Sequence, residues 1–206
     1  LFDLENPAIP PFGGQIDYLT YAGLYRDVWL RATSPVYIDR LKIETPDALA
    51  TAKTVSVRCD LANPRALPLD GTLVLTLRAA DGAEIARKRV AVTGHSLTVT
   101  FEGLAGLSLW TLDAPVLYRA EAALETTVGS DETSARFGFR TAAFTADGFL
   151  LNGQPLKIRG LNRHQSWPYV GYAMGRRAQE RDAEILKHEL KVNLVRTSHY
   201  PQSPWF

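Results

Sequence analysis

The sequence has little cysteine, and this limits the covalent chemistry open to it. One cysteine stands among 206 residues, so no disulfide can form within the chain. Cys59 falls on the same face as Val55, Val57 and Leu61 in an alternating run, which predicts a small buried side chain rather than a reactive thiol. The redox compartment is not indicated, and the cellular localisation stays open.

Excess charge and long apolar runs are also missing. The chain holds 23 basic and 22 acidic residues, so we predict no basic surface for nucleic acid or an anionic membrane. No apolar run reaches the roughly 20 residues that a membrane-spanning helix needs. The chain does not begin with Met and carries no signal-type segment. We therefore expect an internal segment of a longer protein or a processed product, with neither nucleic acid nor membrane as a partner.

What the chain does have is a mainly β pattern, clearest over residues 36–142. Apolar and polar residues alternate with a period of two, and Asn-Pro, Asp-Gly and Gly-Ser-Asp turns separate the runs. The predicted strands are 37–44, 54–62, 71–78, 84–93, 96–101, 117–126 and 133–139. Seven short strands at this spacing predict an antiparallel β-sandwich of immunoglobulin type.

The two flanking parts differ from the sandwich. Residues 1–35 are rich in Pro and Gly, and short strands are predicted at 15–21 and 23–30. Thirty-five residues cannot bury a core alone, so we interpret this part as the end of another domain. In residues 143–206, a hairpin at Asn152-Gly153 precedes a strand at 157–163, a helix at 175–191 and a strand at 192–197. This order predicts a βαβ unit with parallel strands.

Polar side chains cluster where the two parallel strands are predicted to end. A strand, a helix and a second strand with polar residues at both strand ends resemble the opening of a (β/α) barrel, in which the chemistry lies at the carboxyl ends of the strands. The residues predicted to meet there are Asn162, Arg163, His164, Arg196, Ser198 and His199. Imidazoles can donate or accept hydrogen bonds and a guanidinium can hold a carboxylate, which suits a site that binds hydroxyls and orients an acid. The alternative is that both histidines only satisfy loop backbone groups.

Two other kinds of site receive less support. A metal site at His164 and His199 lacks the usual ligand spacing and nearby carboxylates. Ser198 precedes His199, but no Gly-x-Ser-x-Gly elbow is present to support a serine nucleophile. The carboxylates of the predicted helix are interpreted as a solvated face rather than as general acids: Glu180, Asp182, Glu184 and Glu189.

Two short runs at the predicted strand ends resemble glycoside hydrolase family 2, which contains β-galactosidases, β-glucuronidases and β-mannosidases. They are Gly-Leu-Asn-Arg-His at 160–164 and Val-Arg-Thr-Ser-His-Tyr-Pro at 195–201. Residues 21–30 resemble the last strand of the family's sugar-binding jelly roll. Residues 109–118 and 137–141 resemble signatures of its immunoglobulin-like domain. Five matching runs in the family's order imply a jelly-roll end at 1–35, a sandwich at 36–142 and a barrel start at 143–206.

The resemblance also implies roles for individual residues. Asn162, His164 and His199 match residues that contact the substrate sugar, and Arg196 matches one that holds the nucleophilic glutamate. Asp17 matches an aspartate that reaches the substrate hydroxyls, with a plain loop aspartate as the alternative. The family hydrolyses with retention, using two glutamic acids that the resemblance places beyond this chain.

The remaining expectations concern specificity and partners. Arg-His-Gln at 163–165 and residues 171–174 look closer to β-galactosidases than to β-glucuronidases, while the sugar, the aglycone and the oligomeric state stay open. No cofactor or metal is predicted here, and a cation in the full-length enzyme is left open. The competing hypothesis is a non-catalytic immunoglobulin-like module that binds carbohydrate or protein, since fold alone does not fix function.

Overall fold

The computed structural model describes residues 23–206. Two predictions, the contact residue Asp17 and the short strand at 15–21, lie outside these residues. The described chain divides into two compact units, one formed by residues 31–157 and the other by residues 158–206 with residues 23–30. The jelly-roll assignment of residues 1–35 and the other domain ranges stay predictions.

The first unit contains the predicted sandwich. In the described residues its strands are β1 (Tyr37–Glu44), β2 (Lys53–Ala62), β3 (Gly71–Arg78), β4 (Glu84–Ala91), β5 (Ser96–Leu104), β6 (Tyr118–Thr126) and β7 (Gly129–Phe137). One sheet has the order β1-β2-β5 and the other the order β4-β3-β6-β7, with antiparallel pairing throughout. This arrangement confirms the predicted immunoglobulin-like sandwich.

The core of the sandwich follows from the period-two alternation. On β2, every second residue from Lys53 to Leu61 is buried and its neighbours are more exposed, as expected for a strand with one face toward a second sheet. Cys59 is fully buried, which confirms its predicted place on the apolar face. Phe139 and Phe101 are among the largest fully buried side chains.

A three-stranded hairpin sheet follows the sandwich. It consists of β8 (Ala142–Thr145), β9 (Gly148–Leu151) and β10 (Gln154–Pro155). Asn152 and Gly153 form the turn with φ angles of 52° and 74°, the left-handed values that a tight hairpin turn requires. The Asn152 side chain accepts from the Thr141 N–H (3.0 Å) and donates to the Trp110 carbonyl (2.9 Å). The predicted hairpin is confirmed, and β8 extends it.

The second unit contains the predicted βαβ motif. Its elements are β11 (Gly160–Arg163), α1 (Arg176–Glu184), a five-residue π-helix (Ile185–Glu189) and β12 (Leu194–Thr197). The strands are parallel, with Gly160 opposite Leu194 and Arg163 opposite Thr197. This parallel pairing across a helical crossover confirms the predicted βαβ unit. Within residues 23–206, no helix is long and apolar enough to cross a membrane.

Two predicted elements differ from the structure. The helix is α-helical only to Glu184, after which the Leu190 N–H donates to the Ile185 carbonyl five residues earlier (2.9 Å). The strand predicted at 23–30 is absent from the part of the chain that the structure describes, where these residues form no strand and include bends at positions 23 and 26. Alternation reports a side-chain pattern, whereas a strand also needs a partner backbone for its hydrogen bonds.

Candidate functional site

The carboxyl ends of β11 and β12 bring four predicted residues together. The parallel register places Asn162 opposite Arg196, and an Arg196 Nη lies 3.4 Å from Asn162 Oδ1. Directly beyond the strands, the rings of His164 and His199 meet edge to face with centroids 5.4 Å apart. Asn162, Arg196 and His199 are exposed, and His164 is half-buried.

Aromatic rings support the histidine pair from within the same unit. The His164 ring lies 5.8 Å from the Tyr200 ring, which in turn lies 4.7 Å from the Tyr172 ring. The Tyr200 hydroxyl also accepts a hydrogen bond from the Gln165 N–H at 3.0 Å. His164 is thus held between His199 and Tyr200, which limits the orientations that its imidazole can adopt.

Arg163 does not lie at this mouth, although the sequence analysis placed it there. Its side chain is 6 % exposed, and its guanidinium donates to Asp182 Oδ2, Gln179 Oε1 and Gln202 Oε1, each at 2.7 Å. The guanidinium carbon also lies 4.0 Å from the centroid of the Phe206 ring. The prediction was wrong because adjacent residues of a strand face opposite sides of the sheet.

Asp182, which was predicted to lie on the solvated face of the helix, instead pairs with a buried cation. Its side chain is 23 % exposed and pairs with the buried Arg163, whereas Glu180, Glu184 and Glu189 form exposed ion pairs with helix arginines. The signal that could have identified it is the spacing of Gln179 and Asp182. Residues three apart share one face of a helix, so this pair marks a polar stripe directed at a buried cation.

The segment that carries His199 is fixed from two sides. Gln165 is fully buried, and its Oε1 accepts from the Ser203 N–H at 2.7 Å. The Arg26 guanidinium donates to the carbonyls of Pro201 and Gln202, the latter at 3.2 Å. These hydrogen bonds satisfy one backbone N–H and two backbone carbonyls, and so hold the segment after β12 in one conformation.

The two other kinds of site considered from the sequence gain no support. Ser198 is fully buried, and its hydroxyl lies 3.4 Å from the Arg196 carbonyl, so its oxygen is not presented to a substrate. Within residues 23–206, no three or more His, Cys, Asp or Glu side chains gather in a group that could hold a metal ion. The polar side chains at the strand ends can donate and accept hydrogen bonds to a ligand.

The chain is similar to known glycosidases over nearly its full length. It is 55 % identical to a Beta-galactosidase of Rhizobium meliloti and 45 % identical to a Beta-galactosidase of Thermoanaerobacterium thermosulfurigenes, each over 98 % of this chain. The chain spans 27 % and 29 % of the length of these two relatives.

Solved structures show the same fold. A Bacteroides uniformis beta-glucuronidase superposes with a TM-score of 0.81 at 31 % identity, covering 97 % of this chain and 25 % of that one. Another, Bacteroides uniformis beta-glucuronidase 3, gives a TM-score of 0.83 at 27 % identity, covering 98 % of this chain and 25 % of that one.

Family models match both units. Residues 36–140 match "Glycosyl hydrolases family 2", and residues 143–206 match "Glycosyl hydrolases family 2, TIM barrel domain". The match over 36–140 alone covers half of the chain and agrees with the sandwich, and the match over 143–206 includes the parallel strand pair. The chain belongs to glycosyl hydrolases family 2.

Proposed function

We propose that this chain is part of a retaining β-glycosidase that hydrolyses terminal β-linked galactosides. The observation that carries the proposal is the meeting of Asn162, His164, Arg196 and His199 at the ends of two adjacent parallel strands. In barrels of this kind, the ends of the strands are where substrates bind. Asp17 is proposed as a further contact to the sugar hydroxyls.

The chemistry of these groups fits a sugar ligand. A sugar hydroxyl both donates and accepts hydrogen bonds, and a neutral imidazole offers one donor and one acceptor. His164 and His199 meet edge to face, so their nitrogens can address neighbouring hydroxyls of one ring. The Asn162 amide adds a carbonyl acceptor and two donors. Together these groups would bind and orient the sugar rather than break the glycosidic bond.

Arg196 would act on the nucleophile. A guanidinium binds a carboxylate through two parallel hydrogen bonds and lowers the pKa of that carboxylate, because it favours the charged form. A carboxylate nucleophile must be ionised to attack the anomeric carbon. The exposed guanidinium of Arg196, 3.4 Å from Asn162 Oδ1, is available for this task. We propose that both catalytic glutamates come from parts of the enzyme outside this chain.

The choice of galactosides rests on the relatives. The two that are 55 % and 45 % identical are both named Beta-galactosidase, whereas a Putative beta-glucuronidase of Formosa agariphila is 30 % identical over 91 % of this chain. The higher identity to the two proteins of that name favours the galactoside.

The test is an assay of the full-length protein on aryl β-galactoside, β-glucuronide and β-mannoside substrates. We expect the highest kcat/KM on the galactoside and a loss of about 100-fold in His164→Ala and His199→Ala, since a donor to the transition state is removed. His188→Ala is the matched control, because His188 is exposed on the π-helix. Preference for the glucuronide, or unchanged kcat/KM in both histidine variants, would contradict the proposal.

A further inference from the structure

Arg163 connects the segments that carry the two histidines. It lies between Asn162 and His164 in the sequence, but its side chain is directed away from them into a buried cluster. Its partners come from separate elements: Gln179 and Asp182 from α1, and Gln202 from the segment after β12. One guanidinium therefore fixes the end of β11 relative to both α1 and that segment.

The backbone strengthens the same connection. The Ser198 N–H donates to the Arg163 carbonyl at 3.2 Å, which extends the pairing of β11 and β12 by one hydrogen bond. His164 is the residue after Arg163, and His199 is the residue after Ser198. Each histidine therefore directly follows one of the two residues, Arg163 and Ser198, whose backbone hydrogen bond joins the ends of the strands. Gln202, bound to the Arg163 side chain, follows His199 by three residues.

The cluster depends on the shape and charge of arginine. A buried cation is costly unless it is paired and its other donors are satisfied. Asp182 supplies the opposite charge, and the two glutamine oxygens accept further N–H groups. Lysine carries the same charge as a compact ammonium without the planar fork, so it cannot reach these partners in the same geometry.

We propose that Arg163 is a positioning residue, which fixes the separation of His164 and His199 through its bonds to Asp182 and Gln202. Its role in catalysis rests on the proposed function, in which those histidines bind the sugar. A purely structural arginine would stabilise the unit and leave the histidine geometry to other contacts. The two roles differ in whether the effect of changing Arg163 depends on the histidines.

A double-mutant cycle on the full-length enzyme tests this dependence. Arg163→Lys keeps the charge and removes the fork, and we expect a loss of kcat/KM of about tenfold or more, because small misplacements of binding groups are costly. In a variant that already lacks both imidazoles (H164A with H199A), the same change is expected to alter kcat/KM by about twofold or less. A loss of equal size in both backgrounds would overturn the proposal.

Two further variants complete the experiment: one is a control for changes on the same helix, and the other tests the same connection at a second residue. Arg181→Lys alters an exposed guanidinium on the same helix, paired with Glu184 and Glu189, and is expected to leave kcat/KM unchanged. Gln202→Met keeps the side-chain volume and removes the oxygen that accepts from Arg163, so it tests the connection where Arg163→Lys fails to fold. It is expected to follow the same cycle, with a loss that disappears once both imidazoles are absent.

A readout without substrate separates this proposal from the proposed function. In histidine-labelled full-length protein, the imidazole NMR signals of His164 and His199 are assigned by their loss in the alanine variants. We expect Arg163→Lys and Gln202→Met to shift both signals and to leave those of His95 and His188 in place. Unshifted His164 and His199 signals overturn the positioning role, even in an active enzyme. Shifted signals in a protein that hydrolyses no β-glycoside support it while the proposed function fails.

Discussion

At the scale of single residues, Cys59 shows how burial controls reactivity. Its side chain is fully buried between the sheets, and burial raises the pKa of the thiol to about 12, with the negative charges of Asp60 and Asp131 adding to the shift. The thiolate is the reactive form of cysteine. The folded thiol is therefore protonated, and inert toward alkylating reagents, at neutral and mildly alkaline pH.

The raised pKa predicts a dependence of stability on pH. Between the ordinary thiol pKa of about 9 and the folded value of about 12, the unfolded chain loses this proton and the folded chain keeps it. This contribution to stability is thus complete below pH 9 and is lost as the pH rises toward 12. At pH 10 we expect the loss to be about 1.4 kcal/mol. Denaturant unfolding at pH 8 and pH 10 measures it.

The control for this prediction is Cys59→Ala. It removes the thiol, so the difference between wild type and variant should shrink by the same amount between the two pH values. An identical pH dependence in both proteins would show that Cys59 does not carry the effect. Slow labelling of the native thiol by iodoacetamide, with fast labelling after unfolding, is the independent check.

Arg163 and Asp182 mark the limit of sequence reasoning at this scale. The sequence predicts that four polar side chains meet at the strand ends, because their residue types and their positions after the apolar runs can be read directly. They are Asn162, His164, Arg196 and His199. The inward direction of Arg163 follows from strand alternation, yet its partners lie 16 to 39 positions away. The spacing of Gln179 and Asp182 marks a polar stripe on the helix, but no local pattern specifies that Arg163 is the cation it meets.

At the scale of elements, Gly71 shows that strand pairing can require a glycine. A Cβ on Gly71 would lie 2.2 Å from the Glu125 carbonyl oxygen and 2.9 Å from the Thr126 Cα, both backbone atoms of β6. Gly71 pairs with Thr126 at the end of the β3–β6 ladder. A side chain here would force the two strands apart at this end.

We therefore expect Gly71→Ala to destabilise the sandwich by about 1 to 3 kcal/mol, the usual range for overpacking in a tight site. Calorimetric unfolding of the full-length protein measures the change as a lower Tm of the sandwich transition. Gly94→Ala is the matched control, because a Cβ there meets no atom within 4 Å. Equal Tm values for the two variants would show that the β3–β6 end adjusts without cost.

Elements were predictable where local patterns determine them. The bounds of β1 and β3 agree with the alternation and the turn residues on either side, and the Asn152-Gly153 turn has the expected left-handed backbone. The prediction of a strand at 23–30 was wrong, because strand pairing also depends on a second backbone. The change from α1 to a π-helix was not predicted, because a period of 3.6 residues does not reveal a local widening of the helix.

At the scale of the whole molecule, the chain covers about a quarter of the relatives that it resembles. A (β/α) barrel has eight strands, and β11 and β12 form a two-stranded parallel sheet. We expect the 206-residue chain alone to show no turnover of aryl β-galactosides, while the full-length protein is active. Parallel assays at equal molar concentration measure this. Turnover by the 206-residue chain would place the catalytic carboxylates within it and contradict the proposed division of roles.

The opposite directions of neighbouring side chains on β11 have a consequence for enzyme engineering. Asn162 is exposed, Arg163 is buried, and His164, directly after the strand, is half-buried. Randomised libraries aimed at a new sugar preference can therefore vary positions 162 and 164 and keep 163 constant. Such libraries should retain a far larger folded fraction than libraries that randomise all three positions together.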